Sequence, residues 1–142
     1  MTNIAVASDH AGFDYKTHLK SHLESMGINV EDFGTDSVGP VDYPSFVRAA
    51  TQSILAGQNT LGIIIGGSGN EAIVANRYRG IRCAVVWNEG TGRLAKEHGD
   101  CNMIAIGQRQ MSKKAAVACV EAWLNAEFKG GRHQRRIDQI DE

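Results

Sequence analysis

The sequence has no long apolar run. No stretch approaches the roughly 20 consecutive apolar residues that a membrane-spanning helix needs, and the opening residues MTNIAVASDH lack the basic segment and apolar core of a signal peptide. We therefore expect no contact with a membrane and a cytoplasmic location.

Cysteine is scarce and shows no pairing pattern. The three cysteines, Cys83, Cys101 and Cys119, are odd in number and lack the spacing of metal ligands. Cys83 lies in an apolar run and Cys119 in a helical pattern, which favours core thiols in a reducing compartment. We predict no metal site, and we expect Cys101 to be the only cysteine near the functional site.

The sequence also lacks an excess of either charge, because its formal net charge is −1. This balance gives no overall case for nucleic-acid binding. The segment 129–136, KGGRHQRR, is the exception, with four Lys or Arg and no acid, against eleven bases and sixteen acids elsewhere. It is either a solvated basic tail or a site for one small anion.

Short apolar runs alternate with helical patterns along the whole chain, without repeats or linkers. The predicted strands are Ile4–Ser8, Asn29–Phe33, Leu61–Ile65, Ile81–Trp87 and Met103–Ile106. The predicted helices are Phe13–Met26, Pro44–Ala56, Glu71–Arg77, Thr91–His98 and Ser112–Phe128, the last being the longest. Pro44 and Ser112 suit helix starts, and Gly27 and Gly57 suit helix ends.

This alternation predicts one α/β domain over residues 1–142. Repeated strand–helix units form parallel sheets with right-handed crossovers, so we expect a three-layer, doubly wound (Rossmann-like) fold with about five strands. Ligands of such sheets bind beyond the carboxyl ends of the strands. The residues that follow each strand are therefore the candidates for a site.

The loop Gly66–Asn70 and the adjacent Glu71 are the most informative of these candidates. Three glycines after a buried strand expose backbone N–H groups that stabilise an anion, although a glycine turn required only by chain geometry is the alternative. The loop matches neither a P-loop nor a dinucleotide fingerprint. Glu71 is either a first-turn acid favoured by the helix dipole or a base beside the anion-stabilising loop.

Three histidine-containing segments allow two readings each. Asp9 is a helix cap or a site acid, and His10 is a surface or a site residue. His98 gains weight only from an expected position at the same edge of the sheet. His18 and His22 have the i, i+4 spacing of metal ligands, but Lys16, Lys20 and Ser21 around them favour a solvated face.

These segments together resemble the ribose-5-phosphate isomerase B family, which includes galactose-6-phosphate and allose-6-phosphate isomerases. The resemblance runs nearly end to end and depends on the order and spacing of several motifs. They are SDHAG at 8–12, DYP at 42–44, GGSGNE at 66–71, AN at 75–76, GIRCA at 80–84, EH at 97–98, IGQR at 106–109 and GGRHQRRI at 130–137.

The resemblance implies an isomerase that converts an aldose phosphate into its ketose phosphate without metal or coenzyme. It also implies a homodimer or dimer of dimers with interface sites, completed by the C-terminal phosphate-binding and dimerisation tail. Asp9 and His98 would assist ring opening, and Ser68 would lie near C1 and C2. The substrate-binding residues implied are His10, Tyr43, Gly67, Gly69, Asn70, Arg109, Arg132 and Arg136, with Arg132 and Arg136 from the partner subunit.

The resemblance also implies which residue is the catalytic base, because this chain differs from many family members at position 66. Many members carry a cysteine base where this chain has Gly66, and others use a glutamate that Glu71 matches. Two positions depart from the glutamate group: a glycine is missing between Asn70 and Glu71, and Gly99 replaces an asparagine. Ribose 5-phosphate is the first candidate substrate, with another tetrose, pentose or hexose phosphate as the alternative.

Two other classes of function stay open. A sugar-phosphate-binding protein without catalysis would share these motifs but would not exchange the substrate's C2 proton with solvent. A flavodoxin-like nucleotide binder is disfavoured, because no aromatic-rich loop indicates a flavin.

Overall fold

Five parallel strands form one sheet in the computed structural model, which describes residues 2–142. The strands are β1 (Asn3–Ser8), β2 (Asn29–Asp32), β3 (Leu61–Gly66), β4 (Cys83–Val85) and β5 (Met103–Gly107). The helices are α1 (Phe13–Ser25), α2 (Tyr43–Leu55), α3 (Ala72–Ala75), α4 (Glu89–Glu97), α5 (Lys113–Asn125) and α6 (Arg132–Ile137). Two 3₁₀ turns, His10–Gly12 and Gln108–Gln110, follow β1 and β5.

The strand order is β2-β1-β3-β5-β4, and every neighbouring pair is parallel. Helix α1 connects β1 to β2 on one side of β1, and helix α2 then connects β2 to β3 on the other side of β1. This reversal is the topological switch of a doubly wound fold, where ligand clefts form. The predicted fold class and the five strands are confirmed.

The core lies on both faces of the sheet, as the alternation of side chains requires. Ile4 and Val6 of β1 belong to a cluster that includes Leu19 of α1 and Trp123 of α5. Ala5 and Ala7, which point the other way, pack in a second cluster with residues of α2 and α3. Trp123 is fully buried, and its indole Nε1 donates to the Cys101 carbonyl oxygen at 3.0 Å.

The predicted helix signals are confirmed. The Ser112 hydroxyl accepts a hydrogen bond from the Ala115 N–H at 3.1 Å, and Pro44 lies in the first turn of α2. Gly27 and Gly57 adopt positive φ values of 80° and 78° after α1 and α2, a conformation that glycine adopts without a Cβ penalty.

Several predicted elements are longer than the observed ones. The helix predicted over Ser112–Phe128 ends at Asn125, because Ala126 is extended, so α5 has 13 residues and equals α1 and α2. The helix predicted over Glu71–Arg77 covers only Ala72–Ala75. The edge strand β4 is shorter than its apolar run. The Arg82 amide donates instead to the Asn102 side chain, and Asn76 exchanges two side-chain hydrogen bonds of 2.8 Å with the Cys83 backbone.

The histidine face of α1 is only partly solvated. His18 is exposed, but Lys16 is 1% exposed, so its expected place on a solvated face is wrong. His22 Nε2 lies 2.7 Å from a carboxylate oxygen of Glu121. Among residues 2–142, no group of three or more potential ligands is placed to hold a metal ion, and no helix is both long and apolar enough to cross a bilayer.

Candidate active site

A cleft of about 270 Å³ opens where β1 and β3 end, at the topological switch. We call it the carboxyl-edge cleft. Its lining residues are Asp9, His10, Ala11, Tyr43, Gly67, Ser68, Glu71, Arg109 and Gln110. The segments predicted to form a site after β1, β3 and β5 are therefore brought together.

Glu71 lies at the floor of this cleft and is 4% exposed. It follows the glycine loop immediately, and its Oε1 accepts a hydrogen bond from the Gly69 N–H at 3.1 Å. Burial raises the pKa of Glu71, and the nearby charge of Asp9 raises it further, while hydrogen bonds from backbone N–H groups lower it. A carboxylate with a raised pKa is suited to accept and return a proton near neutral pH.

The carboxylate of Glu71 occupies the space of a side chain at position 66. A Cβ built on Gly66 would lie 2.0 Å from the Glu71 carboxyl carbon and 2.1 Å from Oε1. No side chain at 66 can share that space, so the position of the Glu71 carboxylate requires a glycine at 66. The base that Glu71 is expected to supply therefore lies where a cysteine at position 66 would place its own side chain.

The glycine loop is tightly folded around this carboxylate. Gly69 has φ +90°, and a Cβ there would lie 2.9 Å from Val85 Cγ1. The Asn70 N–H donates to the Ser68 hydroxyl at 3.2 Å, and the Gly69 N–H is held by Glu71. Among residues 2–142, the loop amides without a hydrogen bond are those of Gly67 and Ser68, which makes them the amides best placed to meet an anion.

Asp9 and His10 complete the inner wall. Asp9 is 8% exposed, and its Oδ1 accepts from the Gly12 N–H at 3.1 Å, so the predicted capping role is confirmed. His10 is half-buried, and its Nδ1 accepts a hydrogen bond of 3.2 Å from the Val41 N–H. Gly12 is required for this packing, because a Cβ there would lie 2.2 Å from the Ile65 carbonyl oxygen.

Arg109 covers the mouth of the cleft. Its backbone N–H donates to the Gly67 carbonyl oxygen at 3.2 Å, and its guanidinium Nη1 would lie 3.2 Å from a Cβ at Gly67. The side chain is exposed and makes no ion pair within residues 2–142. Within the described residues it is therefore an unpaired cation beside the glycine loop. Gln110, which the sequence analysis did not select, also lines this wall.

His98 lies at the opposite edge of the sheet, so its expected position is wrong. It directly follows α4 and precedes β5, whose first residue, Met103, pairs with Gly62 at the start of β3. A strand of the length of β5, five residues, spans roughly 16 Å. His98 and the Glu71 carboxylate of one chain therefore cannot contact the same small substrate.

Basic side chains lie near His133, the neighbour of His98, and we call the group the basic patch. The ring of His133 stacks on that of His98, with centroids 4.2 Å apart and planes inclined by 15°. Removal of the His133 ring from water, and the charges of its neighbours, lower the pKa of His133. The members of the basic patch are His98, Lys129, Arg132, His133 and Arg136.

Arg132 and Arg136 lie one helical turn apart on α6, are exposed, and form no ion pair within the described chain. The sequence analysis missed His133, although it stands inside the quoted GGRHQRRI motif; only the stacking on His98 selects it.

Cys101, which was expected near the functional site, also lies at this opposite edge, which we call the amino edge, and does not line the carboxyl-edge cleft of its own chain. It is buried beside Arg82, and burial raises the pKa of its thiol to about 11. All three cysteines are free and buried, as predicted for core thiols.

The fold and the cleft together define a doubly wound α/β protein with a buried acid beside an amide-rich loop at its switch point. A family model described as Ribose/Galactose Isomerase matches residues 4–140. The chain belongs to this family.

Relatives and solved structures agree with this assignment. The chain is 42% identical to ribose-5-phosphate isomerase B of Mycolicibacterium paratuberculosis over 142 residues, covering 98% of this chain and 89% of the relative. A ribose 5-phosphate isomerase from Thermotoga maritima is 42% identical, with a TM-score of 0.96 and coverage of 99% of this chain and 97% of that one.

A third similar protein is ribose-5-phosphate isomerase B from Mycoplasma genitalium, whose structure contains bound ribulose-5-phosphate. It is 35% identical, with a TM-score of 0.93, and the match covers 98% of this chain and 93% of that one.

Proposed function

We propose that this protein is an aldose–ketose isomerase of phosphorylated sugars, with ribose 5-phosphate and ribulose 5-phosphate as its first candidate substrates. The observation that carries the proposal is the Glu71 carboxylate, which is buried, has a raised pKa, and lies beside the glycine loop in the space of a residue-66 side chain. Family membership and the ribulose-5-phosphate bound by a similar protein support it.

The reaction needs one base and one anion-stabilising group. In the open-chain aldose, Glu71 removes the proton from C2, and the electron pair moves through C1 to the carbonyl oxygen. The cis-enediolate that forms is stabilised by backbone N–H groups of the glycine loop, with Ser68 beside the reacting carbons. A proton then passes from the C2 hydroxyl to the enediolate oxygen on C1, and Glu71 returns its own proton to C1, which gives the ketose with its carbonyl at C2. No coenzyme takes part, since no electrons leave the substrate.

The phosphate end requires more cations than the carboxyl-edge cleft contains. His10 and Arg109 are its basic side chains, with Tyr43 beside them. The basic patch of the same chain is a strand length away, but the patch of a second copy can approach the cleft. We therefore assign the active unit as a homodimer, alone or paired into a dimer of dimers. The partner's Arg132 and Arg136 would bind the phosphate, and its His98 would assist Asp9 in ring opening.

Two departures from the family pattern, both expected where the sugar binds, are consistent with a substrate other than ribose 5-phosphate. The loop is one residue shorter than the glutamate pattern of the family, and Gly99 lacks a side chain to contact a hydroxyl. Gly99 has close neighbours instead, because a Cβ there would lie 2.9 Å from the Cys101 sulfur. The location proposed is the cytoplasm, which three free thiols and the substrate class support.

The test is a turnover screen over aldose and ketose phosphates of four, five and six carbons, run in deuterated water. We expect turnover of at least one pair and exchange of its C2 proton with solvent, and both should be lost in Glu71→Gln. Binding without turnover or exchange for every sugar would contradict the proposal and leave a sugar-phosphate-binding protein. Turnover limited to tetrose or hexose phosphates would replace the first candidate substrate.

A further inference from the structure

Among residues 2–142, one hydrogen bond joins the loop that follows β2 to a side chain of the carboxyl-edge cleft, and its donor is a backbone amide. Within the described chain, the N–H of Val41 donates to Nδ1 of His10 at 3.2 Å. Val41 itself lies outside the cleft, whereas His10 lines it. Because Val41 holds Nδ1, Nε2 is the ring nitrogen that remains available to a ligand in the cleft.

A histidine has two neutral tautomers, and an amide donor selects between them. A nitrogen that accepts a hydrogen bond carries no hydrogen, so Nδ1 is unprotonated and Nε2 carries the N–H. The opposite tautomer would set two N–H donors against each other and would turn the Nε2 lone pair toward the cleft. A phosphate dianion offers acceptors only, and that lone pair would repel it.

The segment before Val41 is firmly anchored to the body of the domain. The ammonium of Lys16, which is 1% exposed, donates to Asp32 Oδ1 at 2.6 Å and to the Thr35 carbonyl oxygen at 2.5 Å. Beyond the end of β2, the Ser8 N–H donates to the Gly34 carbonyl oxygen and the Thr35 N–H donates to the Ser8 carbonyl oxygen, both at 2.7 Å. Residues 32–35 thus continue the sheet beside the strand that leads into His10.

We propose that Val41 is a positioning residue whose backbone amide holds His10 as the neutral Nε2–H tautomer, so that His10 presents a single N–H donor to the phosphate group of the substrate. The inference rests on the proposed function for the identity of the anion, but the tautomer itself does not depend on turnover. Lys16 supports this arrangement by fixing the start of the loop.

The first experiment is a two-bond ¹H–¹⁵N correlation spectrum of histidine-labelled protein, with and without inorganic phosphate. His10→Ala identifies the His10 signals among those of the five histidines. We expect the Nε2–H pattern at His10 in both states. A Nδ1–H pattern, or a doubly protonated ring with phosphate bound, would overturn the proposal, and this result is readable even if the protein isomerises no sugar tested.

The second experiment removes the donor. Val41→Pro deletes the N–H, whereas Val41→Ala keeps it and serves as the matched control. Val41→Pro should raise KM about tenfold, at the low end for a hydrogen bond to a charged group, with kcat maintained. Val41→Ala should match the wild type. Where turnover is absent, the dissociation constant of inorganic phosphate replaces KM, which separates this inference from the proposed function.

A double variant distinguishes positioning from general damage to the loop. In a His10→Ala background, Val41→Pro should raise KM no further, because the amide acts through the imidazole. Losses that add fully in the double variant would show that Val41 acts independently of His10 and would overturn the proposal. If Val41→Pro fails to fold, the wild-type spectrum still decides between the tautomers.

Discussion

The carboxyl-edge cleft and the basic patch lie at opposite edges of one sheet and differ in burial and in charge. The cleft holds two acids, Asp9 and Glu71, that are 8% and 4% exposed. The patch holds three exposed basic side chains, Lys129, Arg132 and Arg136, and among these only Lys129 makes an ion pair within residues 2–142, with Glu97 at 3.7 Å. Burial changes how readily a carboxylate takes up a proton, whereas exposure leaves a guanidinium ready to bind an anion. Under the proposed function, the buried acids of the cleft would transfer the protons, and the exposed arginines of the patch would add to the cations that His10 and Arg109 supply for the phosphate.

The largest effect expected at the cleft is the loss of its base. Glu71→Gln keeps the size of the side chain but cannot accept the proton, so kcat should fall by roughly 10²–10⁴ while KM changes little. Steady-state kinetics on the best substrate found would measure both. Glu121→Gln, beside His22 on a distant surface, is the matched control. Near-wild-type kcat in Glu71→Gln would move the base to Asp9 or His98.

A side chain at position 66 would overlap the Glu71 carboxylate, so we expect substitutions at 66 and 71 to have non-additive effects on kcat. Gly66→Cys alone should displace the Glu71 carboxylate and lower kcat about a hundredfold or more, the size of a general-base contribution. Combining it with Glu71→Ala relieves the clash and supplies a thiol in the same space. The double variant should be more active than either single variant. Equal or lower activity in a folded double variant would contradict equivalence of the two positions.

At the basic patch, the expected effect is on binding. Arg136→Ala removes a cation without touching the reacting carbons, so KM should rise about tenfold or more with kcat maintained. Mixed dimers of Arg136→Ala and Glu71→Gln subunits test whether the two edges meet across an interface. One of the two sites then has both residues, so activity should partly return. Verified mixed dimers without any recovery would exclude a cross-subunit arginine.

The raised pKa of Glu71 predicts that this buried carboxylate lowers the stability of the folded protein at neutral pH. The folded state holds this proton more tightly than the unfolded state, so its contribution to the free energy of unfolding falls as pH rises from the ordinary pKa of 4.5 through the raised folded pKa. Urea unfolding should therefore find Glu71→Gln more stable than the wild type at neutral pH, with a smaller difference below pH 4.5. A pH-independent difference would contradict the burial argument.

The smallest effect is expected for the thiol of Cys101. It is buried at the amino edge with a pKa of about 11, far from the carboxyl-edge cleft. Cys101→Ser should change kcat by less than about twofold, with at most a modest loss of stability from burying a hydroxyl. The melting temperature of the variant gives the control for folding. A thousandfold loss of kcat in a folded variant would point to a thiolate base instead.

Local signals in the sequence predicted most of the fold. The apolar runs identified β1, β3 and β5, because strands covered on both faces must be apolar throughout, whereas the edge strand β2 has the sequence NVED and is mostly exposed. Ser112, Pro44, Gly27 and Gly57 marked helix ends correctly, because capping depends on only a few neighbouring residues. The grouping of Asp9, Gly67 and Glu71 followed from the rule that parallel strands end at one edge.

Three features depended on contacts between residues distant in sequence. Lys16 is buried because its ammonium donates to Asp32 and to the Thr35 carbonyl oxygen. The polar sequence around it in α1 gave no sign of these partners and predicted a solvated side chain. The Glu71 carboxylate leaves no room for a side chain at position 66, which only the three-dimensional positions of the two residues reveal. The placement of His98 depends on strand order and direction, because a residue that precedes β5 lies at the edge opposite the end of β3.

By itself, the sequence determined the strands, the caps, the glycine loop and the basic tail, because each is set by side chains within a few residues of one another. Only the tertiary structure decided that Glu71 fills the space beside Gly66, that Val41 meets His10, and that His98 stands with His133 at the other edge. Those relations are set by how the strands are ordered and how closely the layers pack, and both arise from the summed burial of the whole core rather than from any local pattern.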